Sequence, residues 1–140
     1  MKKLAAVLLI LFASVAQADY EFSPMIGDEV AVIDFMSDVA DGVSVGARYV
    51  ADYNTSSTDS SYIIRDQYFG PVAKLELEVS KLRPYISGSV LWDLGDDMVL
   101  TGGAGVGIEL TEDITVRAGH MWSDDDVIDD MWLFGLAIKI

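Results

Sequence analysis

Residues 68–93 read YFGPVAKLELEVSKLRPYISGSVLWD, and the alternation in this stretch decides the fold. Before the turn, Phe69, Pro71, Ala73, Leu75, Leu77 and Val79 share one face. Tyr68, Gly70, Val72, Lys74, Glu76, Glu78 and Ser80 share the other. After Ser80 and Lys81, an uncharged face of Leu82, Pro84, Ile86, Gly88, Val90 and Trp92 opposes Arg83, Tyr85, Ser87, Ser89, Leu91 and Asp93. A period of two is the signature of β-strands with two unlike faces. The stretch therefore predicts two strands joined by a tight hairpin at Ser80–Lys81.

The same period recurs on both sides of it. Upstream, Tyr20–Ile26, Glu29–Val39 and Val43–Tyr53 alternate, separated by the turn pairs Gly27–Asp28 and Asp41–Gly42. Residues 54–66, NTSSTDSSYIIRD, interrupt the alternation with side chains that bond their own backbone, and they predict a long loop. Downstream, Met98–Leu110, Ile114–Trp122 and Trp132–Ile140 alternate again, with the acidic stretch SDDDVIDD, 123–130, between the last two. Eight strands result. Gly103, Gly105 and Gly107 recur at strand spacing with no helix start after them, so they are strand glycines and not a dinucleotide fingerprint.

The chain's start has a different character. MKKLAAVLLILFASVAQA, residues 1–18, joins Lys2 and Lys3 to an apolar run and to Ala16 and Ala18, the pattern of a secretory signal peptide cut after Ala18. The expected domains are this leader, 1–18, and one barrel domain, 19–140. Loss of Lys2 and Lys3 takes the formal charge from −14 to −16. Such an acidic chain is repelled by phosphate backbones, so no nucleic-acid partner is expected. There is no cysteine, which excludes disulfides, thiolate chemistry and cysteine-ligated zinc. At 51% hydrophobic the chain has enough apolar surface to fold. No apolar run after residue 18 is long enough for a membrane helix, so a bilayer could be crossed only by a closed barrel.

Alternation alone does not say which face is inside. Three further features do. None of the eight apolar faces carries Asp, Glu, Lys or Arg, whereas Arg48, Lys74, Glu76, Glu78, Arg83, Glu109 and Arg117 occupy the opposite faces, where charges of both signs fit a narrow lumen. Tyr53, Phe69, Trp92, Trp122, Trp132 and Phe134 lie on the apolar faces near the ends that meet the long loops, as an aromatic girdle would. The other rim, with Val79, Leu82, Leu110 and Ile114, is read as lacking aromatics. Long polar loops at one end alternate with short turns at the other. The expected fold is an all-β, eight-stranded antiparallel up-and-down transmembrane barrel. The alternative is an exported soluble β-barrel that binds a small apolar ligand inside.

Leader, eight alternating strands, one aromatic girdle and an alternating C-terminal strand together resemble the small outer-membrane β-barrel family, OmpA-type membrane domains included. That resemblance implies a bacterial outer-membrane location, contact with outer-membrane lipid and lipopolysaccharide, and insertion by the outer-membrane assembly machinery. Members of that family usually end on an aromatic residue, and this chain ends on Ile140. The implied role is a non-enzymatic structural barrel or narrow porin-like pore with acidic external loops.

Chemistry-bearing residues are few. The one histidine, His120, sits on an apolar face a few residues before Asp124, Asp125 and Asp126. An Asp–His pair can activate water, but a lone histidine on a lipid-side rim is more simply interfacial, and no catalytic residue is assigned. Asp124, Asp125, Asp126, Asp129 and Asp130 are weak candidates for a cation site, because their spacing departs from the EF-hand loop. A solvated acidic loop is the preferred reading, and no cofactor is expected.

Overall fold

A computed structural model describes residues 2–3, 19–28, 30–54, 63–93, 97–124 and 130–140. Eight strands form one closed antiparallel barrel in sequence order: β1 Tyr20–Ile26, β2 Val30–Ala40, β3 Val43–Asn54, β4 Ile63–Glu76, β5 Leu82–Asp93, β6 Met98–Glu109, β7 Ile114–Ser123 and β8 Met131–Lys139. β8 closes on β1 through Glu21↔Lys139, Phe22↔Ile138, Met25↔Gly135 and Ile26↔Phe134. Closure leaves no free sheet edge, the arrangement that satisfies backbone groups without water. No helix among the described residues is long and apolar enough to cross a membrane.

The barrel is inside out relative to a soluble core. Ile33, Phe35, Leu75, Ile86, Leu100, Ile108 and Leu136 face outward and are exposed, while Glu21, Asp34, Arg48, Lys74 and Arg117 are buried. In the 68–93 hairpin, Leu75 and Ile86 are a cross-strand pair on the outside, and Lys74 faces Ser87 on the inside.

Two boundaries differ from the sequence reading. β3 and β4 run further into the 54–66 stretch than its polar composition suggests, pairing Asn54 with Ile63 across a register shift at Asp52/Tyr53. Cross-strand pairing thus overrides local turn propensity there. At the other end β4 stops at Glu76. The chain then makes a bridge at Val79↔Leu82 around Ser80–Lys81, with Ser80 at φ 60 and hydrogen bonds of 2.9 and 3.0 Å closing the turn.

Inward-facing glycines on β6 and β7 make room for one aromatic ring. A Cβ on Gly105 would stand 2.6 Å from the Tyr85 hydroxyl, and one on Gly119 would also meet that hydroxyl. The glycine run of β6 is therefore a packing device for Tyr85.

Candidate functional site: a two-tier lumen

The turns at 41–42, 77–81 and 110–113, the start of β1 and the end of β8 lie at one mouth; the end of β1, the start of β2 and the strand ends that lead to the connections after β3, β5 and β7 lie at the other. Alternation places inward residues along each strand, and the closed register stacks them into two tiers. Toward the loops the lumen is apolar, filled by Met25, Val30, Val32, Val50, Tyr68, Leu91, Val99, Met121, Met131 and Leu133, which form one buried cluster. Toward the turns it is ionic.

The ionic tier contains two groups. Arg48 grips Asp34 with both prongs of its guanidinium, Nε to Oδ1 at 2.7 Å and Nη2 to Oδ2 at 2.8 Å, and its Nη1 donates to Thr101 Oγ1 at 3.4 Å. The hydroxyls of Thr101 and Ser89 bond each other. Below this pair is a larger network built on Glu21 and Glu76. Lys74 Nζ reaches Glu21 Oε1 at 2.8 Å and Glu76 Oε2 at 3.5 Å. Arg117 donates to Glu21 at 2.6 Å, to Ser23 Oγ at 3.2 Å and to Glu76 at 2.9 Å. Arg83 joins Glu109 at 2.7 Å to Glu76 at 3.4 Å. The Tyr85 ring lies 5.3 Å from the Arg117 guanidinium carbon, a cation–π contact. Charges so deeply buried persist only when paired and hydrogen-bonded, and here each has an opposite partner.

Of the charges read from the sequence as one lumen cluster, Arg48, Lys74, Glu76, Arg83, Glu109 and Arg117 point inward. Glu78 stands at the rim past the end of β4, its side chain 69% exposed, and pairs with Arg83 at 3.7 Å. The cluster also lacked two acids. Glu21 and Asp34 are buried counter-ions, and the signal for both was available, since each lies opposite an apolar face in β1 and β2.

Between the tiers the lumen narrows to a void of about 10 Å³ lined by Met25, Arg48, Tyr85, Ser87, Met121 and Leu133, among others. That is no more than the room for a single water. At the turn end the ionic tier opens into a vestibule of about 800 Å³ lined by Asp19, Glu21, Asp38, Asp41, Ser44, Glu76, Glu78, Arg83 and Lys139, with Val39, Ala40, Gly42 and Leu77.

On the outer wall, Phe69, Trp122, Trp132 and Phe134 are exposed, and Trp92 is half-buried beside Phe69. The Tyr53 side chain lies outside the described residues. His120 faces outward between Trp122 and Trp132, with ring centroids 4.9 and 5.0 Å away, and its Nδ1 has no hydrogen-bond partner among the described residues. Oδ1 of Asp124 accepts from the Leu100 N–H at 2.8 Å. The turn end, read from sequence as free of aromatics, carries Tyr20, which stacks on Phe35 at 5.6 Å. The first strand starts at that end, so its opening residue belongs to the turn-side rim.

Asp124 and Asp130 are exposed, whereas Asp125, Asp126 and Asp129 lie outside the described residues. Among the described residues no group of three His, Cys, Asp or Glu side chains is placed to hold a metal ion.

No family model matches this chain, and no curated protein matches it. Solved structures do match in fold. A de novo designed transmembrane β-barrel aligns with TM-score 0.67 at 15% identity, covering 88% of this chain and 96% of the design. The Yersinia pestis outer membrane protein Ail in a phospholipid bilayer nanodisc aligns with TM-score 0.61 at 10% identity, covering 89% and 100%. Neisserial surface protein A aligns with TM-score 0.58 at 12% identity, covering 88% and 93%. The chain thus shares the architecture of small eight-stranded transmembrane barrels, a class broader than the OmpA-type domain.

Proposed function

We propose that this protein is a bacterial outer-membrane barrel, exported through residues 1–18 and non-enzymatic, whose lumen is a plug and whose external loops are its contact surface. The observation that carries the reading is the inversion of sidedness. A continuous outer wall of exposed Ile33, Leu75, Ile86, Leu100, Ile108 and Leu136 surrounds buried Glu21, Asp34, Arg48, Lys74 and Arg117. Such a wall is stable against hydrocarbon and costly against water. A soluble barrel with an internal apolar ligand would need the opposite arrangement, and the apolar tier it offers is already filled by its own side chains.

The two tiers favour a structural barrel over a pore. An ion leaving the vestibule would meet a narrow void and then a packed cluster of mainly aliphatic side chains, poor in groups that could replace its hydration shell. The acidic external loops repel lipopolysaccharide phosphates directly, so contact with that lipid runs through divalent cations. Outer-membrane lipid and the assembly machinery complete the proposed partners. The test is twofold. The chain lacking residues 1–18 is expected to fold only with detergent or lipid and to show a heat-modifiable gel mobility; a monodisperse folded state in plain buffer would overturn the membrane reading. In planar bilayers it is expected to give no steady conductance, and a stable ohmic channel would overturn the plug.

A further inference from the structure

The chain has three prolines, Pro24, Pro71 and Pro84, and all three lie within strands of the closed barrel. A proline in a strand removes a ladder hydrogen bond on the side its nitrogen faces. Those sides are readable from neighbouring bonds. The Ile140 N–H donates to the Tyr20 carbonyl, so the even-numbered residues of β1, Pro24 included, face β8. The Leu77 N–H donates to the Pro84 carbonyl, so Pro84 in β5 and Pro71 in β4 face each other's strand. The three missing donors are therefore confined to two seams, β1–β8 and β4–β5. In the ring of strands these seams are opposite one another and divide the barrel into β1–β4 and β5–β8.

The ladders show the consequence. Along β1–β8, pairing stops after Phe22↔Ile138 and resumes at Met25↔Gly135. Along β4–β5 it stops after Phe69↔Trp92 and resumes at Val72↔Ser89. The β1–β2, β5–β6, β6–β7 and β7–β8 ladders run without such a gap. At the first gap a side chain replaces the missing donor: Ser23 Oγ donates to the Leu136 carbonyl at 2.9 Å and accepts from Arg117 Nη1 at 3.2 Å. Ser23 thus links this seam to the ionic tier. At the second gap the Gly70 backbone approaches Val90 and Leu91 closely enough that a Cβ would clash.

We propose that the barrel opens laterally along β1–β8 and flexes along β4–β5, with Ser23 as the latch and Arg117 as the group that holds the latch in place. A closed cylinder cannot part at one seam without bending at another, and the opposite seam is where the bend is least opposed. Parting brings the apolar residues beside the first gap, Met25 and Leu133, into contact with the bilayer. The device rests on the transmembrane reading. A chain that never enters lipid nanodiscs fails that reading, whereas one that enters and behaves as a uniform cylinder fails this one.

Amide hydrogen exchange on the chain folded in phospholipid nanodiscs tests it. Leu136 and Ile138 are expected to exchange at least about tenfold faster than the amides of the β6–β7 ladder, the worth of about one buried hydrogen bond. Pro24→Ala, which restores the donor, is expected to slow them, and Ser23→Ala to speed them. A disulfide between Phe22→Cys and Ile138→Cys, which are direct partners across the seam, is expected to slow exchange at Val90 on the opposite wall as well. Uniform exchange over all eight ladders, or an oxidised pair that leaves Val90 unchanged, would overturn the proposal. Should Ser23→Ala fail to fold, Pro24→Ala and the cysteine pair decide the matter, and a folded Ser23→Ala with parental exchange removes the latch.

Discussion

A single side chain on this barrel is read by the medium it meets. Ile86 is 56% exposed in the middle of β5, between Leu75 and Ala104. Ile86→Arg is expected to cost about 2–4 kcal/mol, the penalty for a cation near the bilayer midplane. Leu77→Arg is expected to cost about 0–1 kcal/mol, because Leu77 lies past the end of β4 at the rim of the vestibule, near the interface. Urea titration of both variants in lipid vesicles ranks them, and equal costs would contradict the assigned depth. Inside, Arg48→Ala strands the Asp34 carboxylate and is expected to cost about 3–5 kcal/mol, while the double replacement Arg48→Met with Asp34→Leu is expected to be close to neutral. The same titration measures that cycle. Gly105→Ala drives a methyl against Tyr85 and the Ala118 carbonyl and is expected to destabilise by about 1–3 kcal/mol.

At the scale of elements, the hairpin around Ser80–Lys81 carries its own strain. Ser80 is the one non-glycine residue with positive φ among the described residues, at the first central position of a two-residue turn, where glycine is the preferred residue. Ser80→Gly is expected to stabilise the hairpin by about 1 kcal/mol, read as a rise in the urea midpoint with an unchanged slope. The position of this turn was legible because Ser80 and Lys81 interrupt two clean alternations. The ends of β3 and β4 were not legible, since Thr, Ser and Asn favour turns locally while pairing across the barrel holds Asn54 against Ile63. The loss of aromatics predicted for the turn-side rim failed for a similar reason. Tyr20 opens β1, and only the direction of that strand shows which mouth it reaches.

For the whole molecule, the decisive feature is the stacking of an apolar tier on an ionic one. It sets the expectation that the barrel seals a bilayer, with conductance indistinguishable from protein-free membrane. Replacing Leu91 and Val99, both fully buried in the apolar tier, by serine together is expected to open a water path and give measurable current if the variant still folds. Alternation along a strand separated two unlike faces, because a period of two ties hydropathy to sidedness regardless of what the strand pairs with, and the confinement of charge to one of those faces then determined which lines the lumen. It also determined that charges of both signs would meet inside. It did not determine at what height each residue sits or which charge meets which. Glu21 reaches Lys74 and Arg117, residues 53 and 96 positions away, and that meeting depends on the register of every intervening ladder. Register around a closed ring is a property of the assembled barrel, so the pairing of Glu21, the separate Asp34–Arg48 clasp, the rim position of Glu78 and the opposition of the proline seams were decided by tertiary structure alone.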